Sequence, residues 1–390
     1  MHVLIIPSWY PEKSDDIGGS FFREQALALQ KHGQKIGVIH PQLRSMRRWD
    51  SVITGPKGLK IENDMGMPTY RHHGMAWLPR LPYASSWLWV WHGLKLFDSY
   101  VKEHGLPDIV HAQSLLNGGL LANEIYQRFN IPFVVTEHSS AFVTGLIEKW
   151  QKTLAAKVAS NALARLTVSE SFAKIMSSFF DKDITWKYVP NVLSAQFENA
   201  SILVKDLQKD TFTFCHVSLL TAKKGVDLLI NAFASAFAGR NDVLLVIGGD
   251  GVERSRLEKL VRDLGMSNQI KFLGMLNRDQ VLDVMAKSDA FVLPSHIETF
   301  GVVLIEALAL GKPVIATRCG GPESIVRKQD GFLIPKNNVA ELATAMRQMR
   351  ESYDQFDPAQ IRQSCLDRFS EKVVISQLVH IYQRILLKIV

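Results

Sequence analysis

The sequence predicts an α/β protein of two Rossmann-like domains facing each other across a cleft. Three observations predict it. Short apolar runs alternate with helix-period segments, the pattern of right-handed βαβ units and parallel sheets. The alternation occurs twice, with a break over 189–210 that holds no clear strand. The 390-residue length exceeds a single core and fits two domains.

In the first half, VLIIP (3–7) reads as a strand. SFFREQALALQKHG (20–33) follows as a helix with apolar residues at helical spacing and Gly33 near its end. KIGVIH (35–40), DIVHA (108–112), PFVVTEH (132–138) and ARLTVS (164–169) are the next strands, with helical segments between them. In the second half the strands are FTFCHVS (212–218), VLLVIGG (243–249), IKFLG (270–274), AFVLP (290–294), KPVIAT (312–317) and the short FLIP (332–335). VDLLINAFASAF (226–237) is a helix between them, and helices at roughly 338–351 and 372–389 close the chain. The domains are expected at 1–195 and 196–371, with the helix at 372–390 packing back on the first.

Apolar residues make up 47% and charged residues 21%, which excludes a disordered chain, a fibrous repeat and a disulfide miniprotein. Cys215, Cys319 and Cys365 are too few and too scattered for a disulfide framework or a zinc set, and suit a reducing compartment. MHVLIIPSWYP lacks the features of a signal peptide, and no apolar run is long enough to span a bilayer. The net charge is +7. Residues 41–100 concentrate Arg44, Arg47, Arg48, Arg71 and Arg80 with Trp49, Trp77, Trp87, Trp89 and Trp91. A basic, aromatic surface suits an anionic membrane leaflet or a lipid diphosphate. The competing reading packs Trp87, Trp89 and Trp91 under a helix; their spacing fits a strand or a helix.

The richest motif is HIETFGVVLIEALALGKPVIAT (296–317). Glu298 falls in the loop at the carboxyl end of a strand, where open α/β sheets bind ligands. The backbone N–H groups of Phe300, Gly301 and Val302 open a helix and form an anion site. Glu306 sits on its second turn. A nucleotide diphosphate placed there lets Glu306 reach ribose hydroxyls and Glu298 a sugar hydroxyl. Two glutamates on a solvated helix face are the alternative, and the apolar run around Glu306 leaves little such face. No GxGxxG follows the first strand, which argues against an NAD- or FAD-dependent enzyme.

Together with KKGVDLLINAF (223–233), GGDG (248–251), KFLG (271–274) and GGPESIV (320–326), in this order, the glutamate pair resembles glycosyltransferase family 4, of GT-B fold. The resemblance covers nearly the whole chain. It implies a retaining, metal-independent hexosyltransferase without a cofactor. The donor would be a nucleotide sugar, UDP- or GDP-linked, bound by the second domain. The acceptor would be a glycan or lipid-linked sugar on the first domain, in cell-surface polysaccharide or glycolipid synthesis.

The resemblance also implies roles. Gly18 and Gly19 in PSWYPEKSDDIGGSFFREQ let the backbone approach the donor diphosphate or the acceptor; an ordinary turn before a helix is the plainer reading. His138 faces the donor sugar near its 6-position, with a hydrogen-bonded structural histidine as the alternative. His111, ending the neighbouring strand, is a second cleft candidate that reads more readily as structural. Lys224 neutralises the leaving diphosphate. The family's partner arginine, five residues earlier, is Leu219 here, with Lys223 or Arg278 as substitutes. Gly320, Gly321 and Glu323 form either a donor-side turn or a plain one. The expected catalytic residues are thus His138, Lys224 and Glu298. Gly18, Gly19, Lys224, Glu298, Phe300, Gly301, Val302 and Glu306 are expected around the donor.

The expected location is cytoplasmic, with peripheral contact to the inner face of an anionic membrane. Another GT-B enzyme, an epimerase or a phosphorylase, is the nearest rival; nothing supports a phosphorylase's pyridoxal lysine. A nucleic-acid-binding protein, suggested by net charge alone, would need a basic stripe with stacking aromatics, and no nucleic-acid partner is expected.

Overall fold

A computed structural model describes residues 1–12, 16, 18–44, 55–76, 81, 83–180, 183–202 and 211–389. Contacts divide the chain into two units, Met1–Val192 with Val374–Val390, and Leu193–Val373.

The first unit holds β1 (His2–Pro7), β2 (Lys35–Arg44), β3 (Gly58–Asp64), β4 (Met67–Met75), β5 (Ile109–Gln113), β6 (Phe133–Glu137), β7 (Ala164–Thr167) and β8 (Lys187–Tyr188). Their order in the sheet is β3-β4-β2-β1-β5-β6-β7-β8. β1, β5 and β6 are buried along their whole length, as expected for parallel strands covered on both faces. Helices α1 (Ser20–Lys31), α2 (Ala84–His104) and α3 (Gly118–Phe129) connect the strands.

One pairing departs from the sequence reading. β3 and β4 form an antiparallel hairpin at the sheet edge. The turn is Met65–Gly66, both at positive φ (54° and 88°), and the Gly66 amide donates to Asn63 Oδ1 at 2.7 Å. β3 is largely exposed, so it lacks an apolar run.

The tryptophan segment is also settled. It lies on α2, so the helical spacing holds and the strand does not. Trp89 is buried, whereas Trp87 and Trp91 are 67% and 39% exposed. Arg71 is not a surface cation: it is buried, pairs with Glu62 at 2.7 Å and donates to the Pro11 carbonyl. Arg44 donates to the Pro56 carbonyl at 3.0 Å. Arg47, Arg48, Trp49, Trp77 and Arg80 lie outside the described residues.

The second unit is a parallel sheet of β9 (Phe212–Val217), β10 (Val243–Gly248), β11 (Ile270–Gly274), β12 (Ala290–Leu293), β13 (Val314–Arg318) and β14 (Gly331–Pro335). The order β11-β10-β9-β12-β13-β14 reverses between β9 and β12, which makes a crevice at their carboxyl ends. Helices α4 (Val226–Phe237), α5 (Val302–Ala309) and α6 (Val339–Glu351) flank it. Phe214, Leu229, Phe233, Ile247 and Met346 fill its core.

The closing helix α7 (Glu371–Ile389) sends Val374, Leu378 and Tyr382 into the first unit's core, with Val3, Ile5 and Val38. The three cysteines are buried and unpaired. Among the described residues no helix is long and apolar enough to cross a membrane.

Candidate functional site

The second unit's crevice is lined by the loops after β9 and β12. After β9, a 3-10 turn over Ala222–Lys224 ends at Gly225, whose φ is 63°. A Cβ there would stand 2.3 Å from the Pro294 carbonyl oxygen, so only glycine lets this turn lie against the end of β12. The turn aims Lys224 at the β12 loop, where its Nζ stands 2.6 Å from Glu298 Oε1. Ser295 Oγ donates to the same oxygen at 2.8 Å. Two backbone bonds pin Glu298 to the β13 loop: its amide donates to the Cys319 carbonyl at 3.3 Å and its carbonyl accepts from Gly321 at 2.8 Å. Gly321 has no room for a Cβ, which would fall 2.2 Å from the Phe300 carbonyl oxygen.

His216 ends β9 beside this pair and was not singled out from sequence. Its Nδ1 meets the Val292 carbonyl at 2.8 Å and its Nε2 the Ser218 hydroxyl at 2.7 Å. Burial pushes its pKa down to about 4. Its only sequence signal is a polar residue at the end of an apolar strand.

Gly301 starts α5 with a φ of 107°, and Phe300 is buried against Phe369. One turn later Glu306 is fully buried. Arg278 Nη1 stands 2.8 Å from Glu306 Oε1, yet neither carboxylate oxygen receives an aligned hydrogen bond among the described residues. Arg278 also lies over the Phe197 ring and donates to Ser194 Oγ at 3.2 Å. Its guanidinium thus stands beside Glu306 in the second unit's crevice. Leu219, at the position of the family's partner arginine, is exposed.

The other glycine motifs shape turns. A Cβ at Gly249 or Gly251 would collide with the Ser218 or Leu220 carbonyl oxygen, at 1.8 and 2.3 Å. Glu323 Oε2 accepts the Gly320 amide at 2.9 Å and so caps its own turn.

In the first unit the sheet order reverses between β1 and β5, and the predicted residues gather at that carboxyl end. Gly19, φ 81°, caps α1 and packs so that a Cβ would stand 3.1 Å from two Trp9 atoms. No atom of the described residues lies within 4 Å of where a Cβ on Gly18 would go. His138 follows β6, buried against Phe21 and Phe22 with ring centroids 5.3 and 4.8 Å away. Gln113 donates to Gln25 Oε1, so its own Oε1 accepts from His138 Nε2 at 2.8 Å. This network puts the ring proton on Nε2 and leaves Nδ1 an acceptor without a partner among the described residues. Burial holds the His138 pKa at about 3, so the ring is neutral near neutral pH. Its amide already donates to Glu137 at 2.8 Å, which leaves the ring rather than the amide for a ligand. Glu137, also missed from sequence, is buried and accepts from the amides of Leu115, His138 and Ser139.

His111 is a core residue, correcting its candidacy. It is fully buried, with Nδ1 2.6 Å from the Tyr382 hydroxyl and Nε2 2.7 Å from Thr136 Oγ1. The predicted residues therefore form two groups, each inside its own unit: Lys224, Glu298, Phe300, Gly301, Val302 and Glu306 in the second, and Gly18, Gly19 and His138 in the first. Among the described residues no cluster of three His, Cys, Asp or Glu side chains is placed to hold a metal ion.

Comparison with known proteins gives both halves a relationship. Residues 19–193 match the family described as Glycosyltransferase Family 4, and residues 200–362 match Glycosyl transferases group 1. The chain is 28% identical over 374 residues to a putative teichuronic acid biosynthesis glycosyltransferase of Bacillus subtilis, covering 89% of this chain and 88% of that one. It is 25% identical over 319 residues to a glycogen synthase of Mycobacterium tuberculosis, covering 80% and 74%. Among solved structures, a sucrose-phosphate synthase from Thermosynechococcus elongatus superposes with a TM-score of 0.81 at 18% identity over 100% of both chains. An Anabaena protein in complex with UDP-glucose does so at 0.72 and 18%, over 97% of this chain and 99% of that one.

Proposed function

Because this chain belongs to the family 4 glycosyltransferases of GT-B fold, we propose that it is a retaining, metal-independent hexosyltransferase working without a cofactor. A UDP- or GDP-linked sugar enters the carboxyl end of the second sheet, and a hydroxyl of a glycan or lipid-linked acceptor takes the sugar. The observation that carries this reading is the Lys224–Glu298 pair at the β9/β12 reversal.

The pair holds a cation and an acceptor in place before the donor arrives. When the diphosphate binds, the Lys224 ammonium exchanges Glu298 for phosphate oxygens and the freed carboxylate accepts a sugar hydroxyl. Charge builds on the diphosphate as the anomeric C–O bond breaks, so the lysine acts most strongly in the transition state. The amides opening α5 add to this field. Glu306 fits a ribose, because its buried oxygens have acceptor capacity that Arg278 does not fill. His138 Nδ1, neutral and without a partner among the described residues, fits a hydroxyl that donates to it. With no carboxylate assigned as nucleophile, the acceptor hydroxyl attacks on the face that the phosphate leaves, its proton passes to an oxygen of the departing diphosphate, and the configuration is retained.

A panel of UDP- and GDP-sugars, each scored for thermal stabilisation and for transfer to an acceptor, tests the reading. Stabilisation by no nucleotide sugar would overturn it.

The acceptor side also suits a membrane, and the protein works in the cytoplasm at that surface. Tyr83, Trp87, Trp91 and Lys95 fall at four-residue intervals along one exposed stripe at α2, with Lys95 Nζ 3.5 Å from the Trp91 ring centroid. Aromatic rings with a neighbouring cation favour the interface of an anionic bilayer. Salt-sensitive co-sedimentation with phosphatidylglycerol vesicles, lost in Trp87→Ser/Trp91→Ser, is expected. Equal sedimentation of the variant would remove the stripe from the account.

A further inference from the structure

At the amino end of the first sheet, away from His138, lies a groove of about 460 Å³ that the sugar-transfer reading does not use. Its walls divide by chemistry. Leu163, Ile381 and Ile385 give it an apolar floor, and Lys187, Arg384 and Lys388 supply three cations. Among the described residues no carboxylate side chain lines it.

The arrangement follows from two elements. On α7, Ile381 and Ile385 are one turn apart and bury their side chains; Arg384 and Lys388, also one turn apart, are exposed beside them. Leu163 sits immediately before β7, and Lys187 opens β8, so both stand at the amino ends of their strands. Leu163 stays 43% exposed although it borders a core.

Lys388 is in the last turn of α7, where the helix dipole favours a cation. That accounts for one of the three charges. Lys187 is on another element, and Arg384 lies a turn further back. None of the three has an ion-pair partner among the described residues. Three cations thus gather around an apolar trough with no ion-pair partner among the described residues.

A free inorganic anion would satisfy the cations and leave the floor wet. A neutral detergent would cover the floor and leave the cations unpaired. A molecule with both an anionic head and an alkyl chain satisfies both halves. We propose that this groove binds a single anionic phospholipid. Its phosphate is held by Lys187, Arg384 and Lys388, and its first methylenes lie on Leu163, Ile381 and Ile385. The site is separate from the donor crevice and does not rest on the sugar-transfer reading.

The test uses the full chain without any nucleotide sugar, so its outcome is independent of catalysis. Dihexanoyl phosphatidylglycerol, kept below its micellar concentration, is titrated and followed by calorimetry. Dihexanoyl phosphatidylcholine and inorganic phosphate are the comparison probes. Saturable binding of the phosphatidylglycerol is expected, with phosphatidylcholine at least about tenfold weaker and phosphate weaker still. Arg384→Gln and Lys388→Gln, at exposed positions that spare the core, are each expected to weaken it about fivefold. Equal binding of phosphatidylcholine would make the groove a plain apolar trough. Equal binding of phosphate would make it a free-anion site. Either result, no binding of phosphatidylglycerol, or binding unchanged in both variants overturns the proposal.

Discussion

Arg278 Nη1 stands 2.8 Å from Oε1 of the fully buried Glu306. Breaking one side of such a pair strands the other charge, at about 3–5 kcal/mol. Arg278→Met is therefore expected to lower unfolding stability strongly, and Arg278→Met/Glu306→Gln to recover much of the loss. Urea unfolding of the four members of the cycle measures it. Additive losses would show that the two side chains do not communicate.

Glu306→Gln alone should weaken nucleotide-sugar binding by about 1.5–3 kcal/mol, the range for a hydrogen bond to a charged acceptor. Calorimetry against the preferred donor reads this directly. Unchanged affinity would remove Glu306 from the ribose.

Lys224→Ala acts at a different stage. Turnover should fall by about a hundredfold to a thousandfold, as when one donor to a developing oxyanion is removed, and donor affinity should fall much less. Loss confined to affinity would reassign Lys224 to ground-state binding. In the wild type, EDTA is expected to leave turnover intact; activity abolished by the chelator and restored by Mn²⁺ would contradict the metal-independent mechanism.

Gly18 and Gly19 separate folding from chemistry. Gly19→Ala puts a Cβ 3.1 Å from two Trp9 atoms at a φ of 81°, so a loss of about 1–2 kcal/mol in stability is expected. Gly18→Ala meets no atom of the described residues within 4 Å and should leave the melting temperature unchanged while lowering kcat/KM. Full activity in Gly18→Ala would mean that no substrate approaches this backbone.

Acid should destabilise the protein well before the carboxylates titrate. Burial holds the His111 and His138 pKa values at about 3, against an ordinary value of 6.5. Between those values the unfolded chain binds more protons than the folded one. The contribution from neutral, buried imidazoles is thus fully present above pH 6.5 and declines as pH falls toward 3. Each ring contributes at most about 1.4 kcal/mol per pH unit. Melting temperatures from about pH 7 down to about pH 4.5 check the slope; a flat profile would show that neither ring is buried as described.

The sequence made the alternation of strands and helices legible because the core strands are buried on both faces and read as continuous apolar runs. It also singled out Glu298 and Glu306, whose residue type and spacing stand out locally, and, through the family resemblance, Lys224. What it hid depends on distant partners. The role of Arg278 becomes visible only when the fold brings α5 beside it. His111 looks like a site residue at a strand end until Tyr382, 271 residues later, closes its hydrogen bond. Gln113 has no motif, yet it sets the tautomer of His138. The edge hairpin was invisible because β3 faces solvent, and α2 was ambiguous because Trp87 and Trp91 point outward from the same helix that buries Trp89.

The return of α7 to the first sheet gives the polypeptide a nested order of maturation. Leu193–Val373 is contiguous and can fold as it leaves the ribosome. The earlier segment completes its core later: Val3, Ile5 and Val38 share it with Val374, Leu378 and Tyr382, which are translated after the whole second unit. Until then apolar strands made first wait for a lid made last, and His111 waits for the hydroxyl of Tyr382. The nascent chain therefore carries its oldest, stickiest surface longest, and holding chaperones would find their client in the first unit rather than the second.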